Sequence, residues 1–149
     1  MKHPLLLALL LASSVGAPLF AAAASPVVAV YKSANCGCCT DWVKHMESSG
    51  FAVKAINVAN PTDYREKLGM PQELGSCHTA LAQGYAIEGH VPAAEIQRLL
   101  KEKPKAQGIA VPSMPLGSPG MEGARKDPYD VFLVQADGRY SIYRHYPSK

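Results

Sequence analysis

The stretch Val27-Val28-Ala29-Val30-Tyr31-Lys32, followed by Ser33-Ala34-Asn35 and then Cys36-Gly37-Cys38-Cys39, decides how the chain is to be read. The first six residues are a short β-branched run, which predicts a buried strand. Ser33 to Asn35 predict a turn. From Thr40 to Ser48, Trp42, Val43 and Met46 recur as one face of a helix that Gly50 ends. Three cysteines therefore stand where a strand passes into a helix. Free amide groups at a helix start favour negative charge, so thiols there ionise more readily. The thiolate is both the form that attacks disulfides and the form that binds metals. Cys36 and Cys39 have the spacing of a dithiol redox pair, which makes them the candidate catalytic residues. Cys38 is a third sulfur that such an enzyme does not need.

Outward from this point the chain alternates. Ala52 to Val58 predicts a second strand, and a short helix fits between Asn60 and Gly69, with Pro61 at its start. Thr79 to Gln83 and Tyr85 to Glu88 predict two strands joined at Gly84. Pro92 opens a helix through Lys101 whose apolar face is Ile96, Leu99 and Leu100. The expected class is α/β, one mixed sheet flanked by helices. Residues 108 to 128 carry Pro112, Pro115, Pro119 and Pro128 among several glycines and predict a long loop, a feature uncommon unless it serves a site. Asp130 to Gln135 and Arg139 to His145 flank Asp137-Gly138 and predict a hairpin that extends the sheet.

The amino terminus sets the expected compartment. Lys2 and His3 precede the apolar run Leu5 to Ala12, and Ala21 to Ser25 has the small residues of a cleavage site. Residues 1–24 are read as a secretory signal peptide cut near Ala24. Residues 25–149 then form a single domain, with 108–149 as its C-terminal extension. Gly16 and Pro18 interrupt the apolar stretch, so it is a poor membrane span. The formal net charge of the whole chain is +3, without a run of basic residues, which gives no ground for binding nucleic acid or a membrane surface.

The four cysteines, Cys36, Cys38, Cys39 and Cys77, all lie beyond the leader. In an oxidising compartment an even count suggests disulfides. Three thiols within four residues look more like a reactive or metal-binding site, and adjacent Cys38 and Cys39 are hard to join without strain. Structural zinc is another reading, although paired CxxC knuckles are missing. Met114 and Met121 sit in the Pro/Gly-rich loop, where a thioether has less reason to be packing. Thioethers and thiolates together select Cu(I). His78 neighbours Cys77 and is a candidate ligand, with His90 a further one; His45 and His145 are left out of the site.

About forty residues beyond its cysteine pair, the thioredoxin superfamily places a proline-ended loop over the site, and the chain resembles that plan. Cys77 and His78 stand where the proline would be, which implies that they face Cys36 and Cys39 and favours metal. Together Cys36-Gly37-Cys38-Cys39, Ser76-Cys77-His78-Thr79, the segment Tyr85 to Pro92 and the segment Met114 to Glu122 resemble the CopG-type family of periplasmic copper-resistance proteins. The resemblance implies a thioredoxin-like domain whose extension helps hold a cysteine-bridged multinuclear copper cluster, interconverting Cu(I) and Cu(II). It assigns Cys36, Cys38, Cys39 and Cys77 to that cluster, with His78, His90, Met114 and Met121 around it. Copper ions and periplasmic copper-efflux components are the implied partners, and a monomer is expected. Thiol–disulfide exchange at Cys36 and Cys39, copper carriage without redox turnover, and a disulfide-stapled binding module stand as alternatives.

Overall fold

The computed structural model describes residues 25–148; the expected signal peptide lies outside them. Strand β1 (Val27–Lys32) buries Val28 and Val30 completely. Helix α1 (Gly37–Ser48) follows and returns the chain to β2 (Ala52–Asn57), which runs parallel to β1 at one sheet edge. Helix α2 (Pro61–Lys67) is capped by the Asn60 side chain, which accepts from the Thr62 amide at 3.2 Å. A single 3-10 turn, Gln72–Leu74, then leads to β3 (His78–Ala82).

Strand β3 pairs antiparallel with β1 and forms a hairpin with β4 (Tyr85–Glu88). Gln83 and Gly84 both have positive φ, 47° and 90°, the combination that a two-residue turn needs to match strand twist. Helix α3 (Ala93–Glu102) crosses to β5 (Gly108–Ala110), parallel to β4. The chain then makes a long excursion before β6 (Tyr129–Val134) and β7 (Tyr140–Tyr146) complete the sheet. Its order is β2-β1-β3-β4-β5-β6-β7. The expected α/β class with a mixed sheet and a strand-forming C-terminal extension is what the chain adopts.

Two apolar clusters lie on the two faces. Trp42 and Met46 of α1 and Ile96 and Leu99 of α3 pack with Val28, Val30, Ile87, Ile109 and Val131. Met70 and Leu74 pack on the other face with Ala86, Ala110 and Val134. Met46 and Met70 are thus core residues. Several boundaries differ from the sequence reading. Helix α1 begins at Gly37, not Thr40, because the Cys36 sulfur caps it, accepting from the Cys39 amide at 3.3 Å. The expected loop 108–128 begins with a three-residue strand, since Gly108 to Ala110 find β4 on one side and β6 on the other. Strand β3 starts one residue earlier than expected, at His78, and Val58 falls just outside β2.

A buried ionic network ties α2 to the start of β3 and the end of β4. Glu88, at the end of β4, is fully buried, and its Oε1 accepts from Arg65 Nε at 2.9 Å and from the Ser76 amide at 2.7 Å. Thr79 Oγ1 donates to Glu88 Oε2 at 2.6 Å. Arg65 Nη2 donates to the Ser76 carbonyl at 2.6 Å. Burial raises the Glu88 carboxyl above its usual range, while Thr79, the Ser76 amide and Arg65 act against that. Removing one partner of such a pair strands the other charge, which costs roughly 3–5 kcal/mol. Glu88→Ala is therefore expected to lower the urea unfolding free energy of the metal-free protein by about that amount. A loss under about 1 kcal/mol, the level of an exposed pair, would contradict it.

Candidate metal centre

The first turn of α1 presents three sulfurs because the helix starts inside the cysteine run. Cys36 caps it, Cys38 and Cys39 occupy its first turn, and Cys39 is fully buried. Cys36 and Cys39 are joined as a disulfide, while Cys38 and Cys77 are free thiols. Cys77 lies immediately before β3 and reaches across to the helix. Its Sγ is 3.5 Å from Cys39 Sγ and 3.8 Å from Cys38 Sγ, and Cys38 Sγ is 3.5 Å from Cys36 Sγ. All four sulfurs lie within 4.8 Å of one another.

Cys77 is held in place from behind. The residue before it, Ser76, has its amide fixed by Glu88 and its carbonyl by Arg65, and its hydroxyl donates to the Ser113 carbonyl. Two residues after Cys77, Thr79 binds the same carboxylate. Gly89, at φ 71°, lets β4 turn past this segment; a Cβ there would meet the Val111 carbonyl oxygen and come within 2.6 Å of the Ser76 Cβ.

Two imidazoles adjoin the same sulfur. His90 Nε2 is 3.0 Å from Cys77 Sγ, and its Nδ1 is 2.8 Å from the Pro119 carbonyl oxygen. A carbonyl only accepts, so Nδ1 carries the proton and Nε2 turns a lone pair to the sulfur. His78 Nδ1 is 3.6 Å from Cys77 Sγ, whereas its Nε2 is buried without a hydrogen-bond partner. The His78 ring lies 4.5 Å from the Trp42 ring and 5.0 Å, edge-on, from the His90 ring. Burial, then the neighbouring His90, pushes the His78 pKa down to about 3, and burial also lowers that of His90. Both rings are therefore neutral and able to ligate. Burial, then Cys38, pushes the Cys77 thiol up to about 12. That sulfur ionises readily only beside a positive charge, which a metal ion would supply.

The long loop closes over this group. Gly120, at φ 82°, lies flat on the start of α1, where a Cβ would come within 2.6 Å of the Cys38 carbonyl oxygen and 2.8 Å of the Trp42 amide. Pro119 and Ser118 are buried beside it. Of the two loop methionines, Met121 is half-buried one residue beyond Gly120, whereas Met114 is 48% exposed. His45 stands apart, its Nε2 accepting from the Ala93 amide at 3.0 Å and so capping α3. His145 pairs with Asp130 on the surface at 2.7 Å. Neither joins the cluster. The Pro119 carbonyl, which sets the His90 tautomer, was not anticipated, because a backbone oxygen has no sequence signature. Glu88 and Arg65 were also missed, since each belongs to a separate element and neither forms a motif.

Comparison with other proteins gives a consistent picture. A family model described as "Protein of unknown function, DUF411" matches residues 74–121, the segment from the turn before Cys77 through Met121. No curated protein matches the chain. Two solved structures do. One, titled "Copper resistance protein copG- Form 2", is 45% identical, covers 83% of this chain and 99% of its own, and superposes with a TM-score of 0.79. The other, "Copper resistance protein copG- Form 1", is 46% identical, covers 81% of this chain and 97% of its own, and has a TM-score of 0.77. Identity at that level, sustained over nearly the whole of both relatives, means that the chain belongs to the CopG family of copper resistance proteins.

Proposed function

We propose that this is a periplasmic copper-resistance protein that holds a cysteine-bridged multinuclear copper cluster on a thioredoxin-like frame and interconverts Cu(I) and Cu(II). The observation that carries the reading is the gathering of Cys36, Cys38, Cys39 and Cys77 within 4.8 Å from two separate parts of the chain. Sulfurs this close, once reduced, can each bridge two soft ions, and soft thiolate donors select Cu(I). His78 and His90 complete the donor set at the Cys77 side, and the half-buried Met121 of the loop is a further candidate donor. Met114, being exposed, belongs to the outer rim, where a thioether suits arriving Cu(I).

In this reading the residues of the chain have distinct tasks. The Cys36 sulfur sits at the helix start and accepts from the Cys39 amide, which positions it as a donor once the disulfide is reduced. The Pro119 carbonyl keeps the His90 lone pair turned inward, and the loop limits water, which tunes the potential of whatever copper is bound. Residues 1–24 would direct export. Among the described residues no helix is long and apolar enough to cross a membrane.

A second reading is favoured by one observation. Cys36 and Cys39 are bonded to each other at a helix N-cap, the arrangement of a thiol–disulfide oxidoreductase. Reduction of insulin disulfides by the metal-free protein, lost in Cys36→Ser, would favour it.

Anaerobic titration of the fully reduced protein with Cu(I) is expected to take up more than one copper per chain, with all four thiols protected from alkylation. Uptake of one copper or fewer would contradict the cluster. Cys77→Ser is expected to lower the bound copper and weaken affinity at least about tenfold, since it removes the sulfur that joins the thiolate and imidazole sides. Loading must also release protons. Cys77 is a thiol in the empty protein until about pH 12 and becomes a thiolate in the loaded one. Apparent Cu(I) affinity should therefore rise from pH 6 to pH 8, as read by competition with a chelator corrected for its own protonation; a flat profile would contradict thiolate ligation.

A further inference from the structure

Two basic side chains, Lys32 and Arg65, are buried among the described residues, and they are held differently. Arg65 pairs with the Glu88 carboxylate at 2.9 Å. Lys32, 7% exposed, pairs with no carboxylate of the described residues. Its Nζ donates to the Ser33 carbonyl oxygen at 3.1 Å. Buried charges are ordinarily paired, because leaving water without a counter-charge is costly. Lys32 breaks that rule.

Its place in the fold points to the missing anion. The buried face of β1 runs Val28, Val30, Lys32, and the two valines pack with Trp42 and Met46 of α1. Lys32 ends that face beneath the start of the helix, where the cysteines are. Its partner across the β1–β3 ladder is His78. Residues directly opposite each other put their side chains on one face of the sheet, and the His78 ring lies against Trp42 at 4.5 Å. Burial, then His90, lowers the His78 pKa, and the Lys32 ammonium adds to the lowering as a nearby cation must. The Ser33 carbonyl that binds Lys32 also accepts from the Cys36 amide at 3.2 Å. The ammonium and the first cysteine thus hang on a single oxygen.

We propose that Lys32 is the fixed counter-cation of the sulfur cluster, a positioning residue that binds no copper and offsets the negative charge of the thiolates. Each thiolate brings one negative charge and each Cu(I) one positive charge, so an assembly with fewer coppers than sulfurs is anionic. In a buried setting that charge is screened weakly by solvent, and a cation several ångströms away stabilises it. Lys32 therefore strengthens Cu(I) binding without joining the donor set. This role rests on the reading that the reduced cysteines hold the copper; the positive field of Lys32 at the sulfurs does not.

The test compares the mature wild type with Lys32→Gln, which keeps a donor for the Ser33 carbonyl but no charge, and with Lys32→Arg, which keeps the charge. In the fully reduced, metal-free proteins, alkylation rates at Cys36 and Cys38 are measured with iodoacetate, an anion, and iodoacetamide, its neutral counterpart. The ratio of the two rates cancels the thiolate fraction and reads the local potential. It is expected to fall about threefold in Lys32→Gln and to stay near the wild-type value in Lys32→Arg. Cu(I) affinity, read by anaerobic competition with a chelator, is expected to fall about tenfold in Lys32→Gln and to be largely retained in Lys32→Arg. An unchanged alkylation ratio in Lys32→Gln would overturn the proposal, as would a lowered ratio with unchanged Cu(I) affinity. Lower urea stability in Lys32→Gln with ratio and affinity intact would make Lys32 a structural tie on Ser33 and overturn it too. Absence of Cu(I) uptake by the wild type would instead sink the copper reading, and the alkylation ratio would still report the field. Lys32→Met takes the place of Lys32→Gln if that variant fails to fold.

Discussion

The buried ion pair between Arg65 and Glu88 is the constraint on which the site depends. Its carboxylate takes the Ser76 amide and the Thr79 hydroxyl, and its guanidinium takes the Ser76 carbonyl. Cys77 and His78 lie between those two anchor points. A sulfur that must meet three others has to be held in position. The network costs desolvation, which a pair of apolar residues would not. What it gives in return is position: it links α2, the turn before β3, and the end of β4, the three elements that must agree for Cys77 to face α1.

The C-terminal extension acts on the other side of the same sulfur. Strands β5, β6 and β7 enlarge the sheet, but their functional effect is to fix both ends of the loop between Val111 and Pro128. Besides its two methionines, that loop acts through its backbone. It contributes a backbone carbonyl at Pro119, which fixes the His90 tautomer, and a glycine at 120 small enough to touch the helix start. The long loop thus serves the site mainly as backbone. Its exposed Met114 is the part that meets solvent.

What could be seen in the sequence follows from what is local. Strand β1, helix α1 and both hairpins rest on runs of β-branched residues, a helical face and turn dipeptides, all within a few residues of one another. The cysteine cluster was visible as a spacing, and the place of Cys77 opposite it came from the resemblance of the 75–81 segment to a known loop position. Strand β5 was hidden because Gly108-Ile109-Ala110 has no intrinsic strand signal; pairing on both sides makes it a strand. Glu88 read as the polar end of a hairpin, and its burial is intelligible only once Arg65, 23 residues earlier, is brought against it. The helix start at Gly37 was missed because a cysteine is an unusual cap, and here the same sulfur caps the helix and belongs to the cluster.

The central claim is that thiolates from two distant parts of the chain hold the same copper ions. X-ray absorption at the copper edge, on the reduced and loaded protein, addresses it most directly. The account expects a first shell dominated by sulfur, a smaller nitrogen contribution, and scattering from neighbouring copper atoms that weakens in Cys77→Ser. A shell of nitrogen and oxygen alone, or one without a copper neighbour, would contradict it.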